Sequence, residues 1–288
     1  MVLLNIRHKT TYRYRMPVAL NPHRLMLRPR ESRDLRLHAM DLAIEPAAHI
    51  AWMQDIVGNS VATASFPAMT TDLAIESLVQ VQLNSVAWPV FDIAASAISY
   101  PFAYGRDEQT DLGALAVPQH EDPRGELRDW VAGFVYATPT DTLALLKDVN
   151  AGVASWISYL SRDDEGTQPP LQTLGRRCGS CRDLAVLFAE AVRVLGFGAR
   201  IVSGYLYDPD RRAVGSGGDG TTHAWADVYL PGAGWIAFDP TNRSVGGANL
   251  IPTAVGRDIG LVVPVAGSFA GESRDFDGMT VEVAVTDR

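Results

Sequence analysis

Ile6, His8, Thr10, Tyr12 and Tyr14 alternate with Arg7, Lys9, Thr11, Arg13 and Arg15. A period of two predicts a strand with one buried face. The same phase returns in Leu73, Ile75, Val79, Val81 and Leu83 of "LAIESLVQVQL". Between these runs, "LRLHAMDLAIEP" predicts another strand and "DIVGNSVATASF" a hairpin turning at Gly58-Asn59. Short strands at this spacing predict an N-terminal β-sandwich. Near residue 86 the alternation stops. The Pro-bearing "VAWPVFDIAASAISYPFAYG" predicts a connecting segment.

Beyond it the period lengthens to that of a helix. Leu127, Trp130, Val131 and Phe134 form one stripe, just after a proline suited to a helix start. Leu143, Leu146, Val149, Val153, Trp156, Ile157 and Leu160 form a second, which predicts a helix running to Leu160. A polar loop, "SRDDEGTQPP", follows. Leu184, Leu187, Phe188, Ala191, Val192 and Leu195 form a third stripe, beginning near Cys181 and expected to stop at Gly196. Then come a strand, "ARIVSGYLY", a Gly-rich loop over 208–222, and two strands, "HAWADVYL" and "GWIAF", joined as antiparallel neighbours by "PGAG". The expected class is α+β, with residues 1–90 as the β-sandwich and 91–288 as a second domain that includes the linker and the C-terminal strands.

Composition narrows the picture. With 47% hydrophobic and only 20% charged residues, the 288-residue chain can bury a core and is not of disordered type. A net charge of −8 repels polyphosphate, so nucleic acid is not expected as a partner. The N-terminus does not read as a signal peptide, and no apolar run reaches membrane-spanning length. Two cysteines build no disulfide framework, and a cytoplasmic protein is expected.

Those two cysteines, Cys178 and Cys181, lie in "RRCGSCRD" just before the third helical stripe. A Cys-x-x-Cys before a helix is the layout of a dithiol oxidoreductase, but that fold wants a βαβ unit. Here a helix and a Pro-rich loop precede the pair, and hairpin-like strands follow. A structural zinc site needs about four ligands. His223, alone among histidines in the C-terminal half, leaves that shell short, so no metal is expected. Burial as small apolar residues fits poorly with Arg176, Arg177, Arg182 and Asp183 alongside. Nucleophilic catalysis is the remaining reading. A helix N-terminus favours thiolate, and its free N–H groups can hold a developing oxyanion. Gly179 and Ser180 are small enough for a substrate to approach the backbone. His223, opening one strand, is the candidate base. Asp239, closing the next, comes level with it across the hairpin, although Asp-Pro is also a common turn former.

"GSCRDLAVLFAEAVRVLGFGARIVSGYL" and "THAWADVYLPGAGWIAFDPTN" resemble the core of the bacterial transglutaminase-like proteins, with four motif blocks in order. "HKTTYRYRMPV", "LMLRPR" and "DIVGNSV" resemble the β-domain appended to that family, and "AVGRD" and "MTVEVAV" its C-terminal part. The resemblance implies a papain-like core with helices packed on an antiparallel sheet. By position it makes Cys181 the nucleophile, His223 the general base and acid, and Asp239 the residue that orients it. Cys178 has no counterpart there. Asp183 does, and is read as capping the helix. "GSCRD" departs from the commoner "GVCQD", so Arg182 can alter what the site accepts. The implied activity is acyl transfer on peptide or protein amides through a thioester, released by water or an amine, with no cofactor. The alternatives are a dithiol-disulfide oxidoreductase using Cys178 and Cys181, and a non-catalytic binding protein with a vestigial triad. The expected partner is a peptide or protein substrate, not a membrane. The sequence leaves a homo-oligomer open, with the β-domain as cleft wall or dimer contact.

Overall fold

The computed structural model describes residues 1–161, 166–209 and 221–287 and begins with one long strand, β1 (Val2–Leu20). Leu4, Ile6, His8, Thr10 and Tyr14 are buried on the face that the alternation predicts. β1 pairs antiparallel with β6 (Thr70–Leu83), Ile6 opposite Val79, and β6 in turn pairs with β3 (Leu35–Glu45). A second sheet contains β2 (His23–Leu25), β5 (Ser60–Ser65) and β4 (His49–Gln54) side by side. Tyr14, Leu20, Leu73 and Ile75 of the first sheet share a core with Leu25, Ala62 and Ala64 of the second, which makes the sandwich.

After the linker, β7 (Ser99–Tyr100) pairs with β8 (Thr140–Asp141), with α1 (Arg106–Leu112) and α2 (Glu126–Ala132) between them. The chain continues through α3 (Thr142–Trp156), β9 (Ser158–Tyr159), α4 (Pro170–Arg176), β10 (Cys178–Gly179) and α5 (Cys181–Val194). Five antiparallel strands follow: β11 (Ala199–Leu206), β12 (Thr221–Leu230), β13 (Gly234–Asp239), β14 (Ser244–Val245) and β15 (Leu250–Gly256). Their order in the sheet is β14-β13-β12-β11-β15, so β12 is central. The expected Gly-rich loop lies largely outside the described residues. Among the described residues no helix is long and apolar enough to cross a membrane.

Two expectations change. The C-terminal strands, assigned from sequence to the second domain, join the first instead. β16 (Val265–Ala266) pairs with β2, while β17 (Phe269–Ala270) and β18 (Phe276–Asp287) pair with β1. The free edge of β1 offers eleven register partners to β18, from Leu4↔Asp287 to Tyr14↔Phe276. An unpaired backbone edge of that length is costly to leave open, and nothing local to residues 265–287 announces which edge they cover. The helix expected to reach Leu160 ends at Trp156. Ile157 turns extended, and the Ser158 N–H bonds to the Arg177 carbonyl instead of back into the helix. Pairing with a distant segment outweighs the helical pattern.

α5 reads from sequence as a one-sided helix, yet every residue from Asp183 to Arg193 is buried. It packs against β12 and β11 on one side and α2, α3 and α4 on the others. The polar residues this buries are satisfied. Arg193 Nη1 donates to Glu190 Oε1 at 2.6 Å, and its Nη2 donates to the carbonyls of Ala199 and Arg257. Glu190 Oε2 accepts the Gln119 and His120 N–H groups. Glu190→Ala leaves a buried guanidinium unpaired. It is expected to cost about 3–5 kcal/mol, read as a lowered midpoint in chemical denaturation; an unchanged midpoint refutes this.

Candidate active site

Cys181 is the first residue of α5, and the turn before it is shaped by Asp183. The Asp183 carboxylate accepts the Ser180 N–H at 2.8 Å, the Ser180 hydroxyl at 3.0 Å and the Gln168 N–H at 2.7 Å. The Asp183 carboxylate thus caps the start of the helix, in agreement with the capping role read from sequence. It aims the free N–H end of α5 at the thiol's surroundings. Gly179 is explained differently from the sequence reading. It is buried, and a Cβ there would approach Asp183 Cβ to 2.8 Å. Its smallness makes room for the cap, not for a substrate. Gln168, from the polar loop, also donates Nε2 to the Cys178 carbonyl at 3.0 Å. Its part had no signal in the local sequence pattern.

His223 lies on β12, opposite Gly204 of β11. A side chain at Gly204 would collide with the Ile251 carbonyl of β15, which explains the glycine in "VSGY". Trp225 follows two residues on, hence on the same sheet face. Its ring lies 6.2 Å from the imidazole, inclined by 25°. On β13, Phe238 pairs with Ala226, so Asp239 comes level with the start of β12. The result is a hydrogen bond between His223 Nε2 and Asp239 Oδ2 of 2.8 Å, fully buried.

Both roles considered for Asp239 are present because a carboxylate has two oxygens. Oδ1 accepts the N–H groups of Thr241 and Asn242, closing the Asp-Pro turn. Oδ2 accepts the Asn242 side-chain amide at 2.8 Å and faces His223. With Nε2 so engaged, the other ring nitrogen is left to serve the Cys181 thiol, and each of the two groups shifts the titration of the other.

The electrostatics follow from this chain. Burial by itself pushes the Cys181 thiol up. The hydrogen bond and charge of His223, the Ala224 N–H and the charge of Arg182 outweigh it, and the thiol is held below its ordinary value. Burial by itself pushes His223 down, but Asp239 and Cys181 more than reverse this and raise it to about 10. Asp239 is likewise held below the carboxylate range, its burial being outweighed by His223 and Asn242. The site therefore shifts the pair toward thiolate beside imidazolium.

Cys178 and Cys181 are both free thiols. Cys178 sits in β10, paired with Ser158. The same pairing brings Tyr159 opposite Gly179, close enough for the charge of Cys181 to help push its phenol up, after burial. Sequence reading missed Tyr159 because its position follows from the unexpected end of α3.

Residues 4–82 match the bacterial transglutaminase-like N-terminal region, and residues 129–240 match the transglutaminase-like superfamily. The second match spans Cys181, His223 and Asp239. An uncharacterized protein of Mycobacterium tuberculosis is 29% identical over 278 residues, covering 91% of this chain and 86% of its own length. One of Mycobacterium leprae is 24% identical over 280 residues, covering 97% and 98%. A solved structure described as "a Putative Cysteine Protease from Cytophaga hutchinsonii" superposes with a TM-score of 0.74 at 18% identity, over 100% of this chain and 91% of that one. The α+β fold is shared with it.

Proposed function

We propose, from the match of residues 129–240 to the transglutaminase-like superfamily and of residues 4–82 to its bacterial N-terminal region, that the chain transfers acyl groups from peptide or protein amides through a thioester on Cys181. The observation that carries this reading is the buried His223–Asp239 pair beside the half-buried Cys181, whose thiol is held below its ordinary value. The Cys181 thiolate attacks the amide carbonyl carbon, and the carbonyl π electrons move to oxygen. The free backbone N–H groups at the start of α5 supply a donor for that oxyanion in this scheme. Collapse breaks the C–N bond as His223 gives its proton to the departing amine, leaving the thioester. Water or a primary amine then attacks the thioester, His223 takes the proton, and thiolate leaves. Asp239, held by Asn242 and its own turn, keeps the imidazole in the orientation that serves both halves.

Water as acceptor gives a carboxylic acid, and an amine gives a new amide. The test is mass spectrometry of a glutamine-containing peptide pool incubated with the protein, with and without a labelled amine. Cleavage, deamidation and amine incorporation produce different mass changes, and at least one is expected. A pool that emerges unaltered at every amide would sink the proposal.

A further inference from the structure

A recess of about 410 Å³ is lined by residues that neighbour Cys181 and Asp239 in the chain, among them Leu184, Thr241, Asn242 and Arg243. One wall is Tyr159, whose strand partner Gly179 is two residues from Cys181. Leu184, one helical turn after Cys181, and Ile157 make its apolar floor. The opposite wall is the turn after Asp239, where Asn242 holds the Asp239 carboxylate and Arg243 follows. The recess therefore adjoins both the thiol end and the carboxylate end of the site.

Arg243 is the unusual member. It is a non-glycine residue with φ of 55°, a left-handed conformation that costs energy for a side-chain-bearing residue. That backbone fixes where the side chain leaves the turn. The guanidinium donates one long bond, Nη2 to the Ala154 carbonyl at 3.4 Å, at the recess wall. It pairs with no carboxylate among the described residues. Arg177 is also left-handed, with φ of 54°, and its guanidinium lies over the Trp156 ring at 4.6 Å, next to the same segment. It too pairs with no carboxylate among the described residues. In a chain of net charge −8, the Arg243 guanidinium, which meets no carboxylate among the described residues, gives this recess a positive wall.

We propose that this recess is a specificity subsite for an acidic side chain of the substrate, with Arg243 as the residue that pairs with its carboxylate. This rests on Cys181 being the nucleophile and names the substrate class that the same site selects. The apolar floor takes the methylene stem of a Glu-type side chain, and the planar guanidinium meets the carboxylate at the rim. A glutamine-type side chain of equal shape fits but forgoes the charge.

The test uses two isosteric reagents that label thiols, chloroacetyl-Glu-amide and chloroacetyl-Gln-amide, on the full chain. In each, chloride leaves as a Cys181 C–S bond forms, so no turnover is required. The acidic reagent is expected to inactivate Cys181 about tenfold faster than the neutral one at low salt, with the ratio falling as salt is added. Arg243→Gln is expected to bring the ratio to about one without changing the rate of the neutral reagent, and Arg243→Glu to invert it. A ratio of one in the parent, or a ratio that ignores both substitutions, overturns the subsite while leaving the nucleophile standing. Failure of both reagents to label Cys181 overturns the nucleophile and, with it, the subsite.

Discussion

Cys181→Ala is expected to lower kcat/KM for amide turnover by on the order of 10⁵-fold, because the group that forms the thioester is gone. Cys178→Ser is expected to leave turnover unchanged. Cys178 belongs to a two-residue strand, while Cys181 alone has the helix start, the Ala224 N–H and His223 around it. The pair of variants separates acyl transfer from dithiol chemistry, which needs both sulfurs. The measurement is initial rate on whichever peptide of the pool is modified. Far-ultraviolet circular dichroism shows that each variant is folded. Equal losses for the two cysteines would return the site to a redox reading.

His223→Ala is expected to cost on the order of 10⁴-fold in kcat/KM and to move the titration of Cys181 upward. His223 is the largest of the influences that hold the thiol down. Once it is removed, burial is opposed only by the Ala224 N–H and Arg182. In the parent, the reactive ion pair exists above the lowered thiol pKa and below the imidazolium pKa of about 10. Turnover should therefore fall on the acid side as the thiolate is protonated, and on the alkaline side as His223 loses its proton near pH 10. Stability follows the same signs. A raised histidine contributes stability in full below its unfolded pKa, and loses it as pH rises through about 10. Asp239, with a lowered pKa, contributes above its unfolded value and loses this as pH falls through the folded one. Iodoacetamide labelling of Cys181 against pH reads the thiol directly. An alkylation midpoint in His223→Ala equal to the parent's would contradict the ion pair.

Agreement between sequence and structure follows how local each determinant is. The alternation in residues 6–14 has one register that buries Ile6 and His8, and the sandwich adopts it. The stripe from Leu184 to Val192, with Gly196 at φ of 93° beyond it, fixes α5 between Ser180 and Leu195. His223 and Asp239 were readable together because a short "PGAG" turn leaves two strands no choice but to be antiparallel neighbours. The resemblance to a known family then separated Cys181 from Cys178, which spacing alone could not do.

Chain pattern alone thus determined the sandwich, the central helix and sheet, and the neighbourhood of His223 and Asp239, while the family resemblance chose Cys181 over Cys178. These rest on periodicities and short turns whose physics acts within a few tens of residues. Tertiary structure decided where β18 pairs, where α3 stops, why Gly179 and Gly204 must be glycine, and that Tyr159, Gln168, Asn242 and Arg243 belong beside the site. Each of those depends on a partner far away in sequence. Pairing an open strand edge, satisfying a buried carboxylate and clearing room for a neighbouring backbone are energies that exist only once the distant segment has arrived.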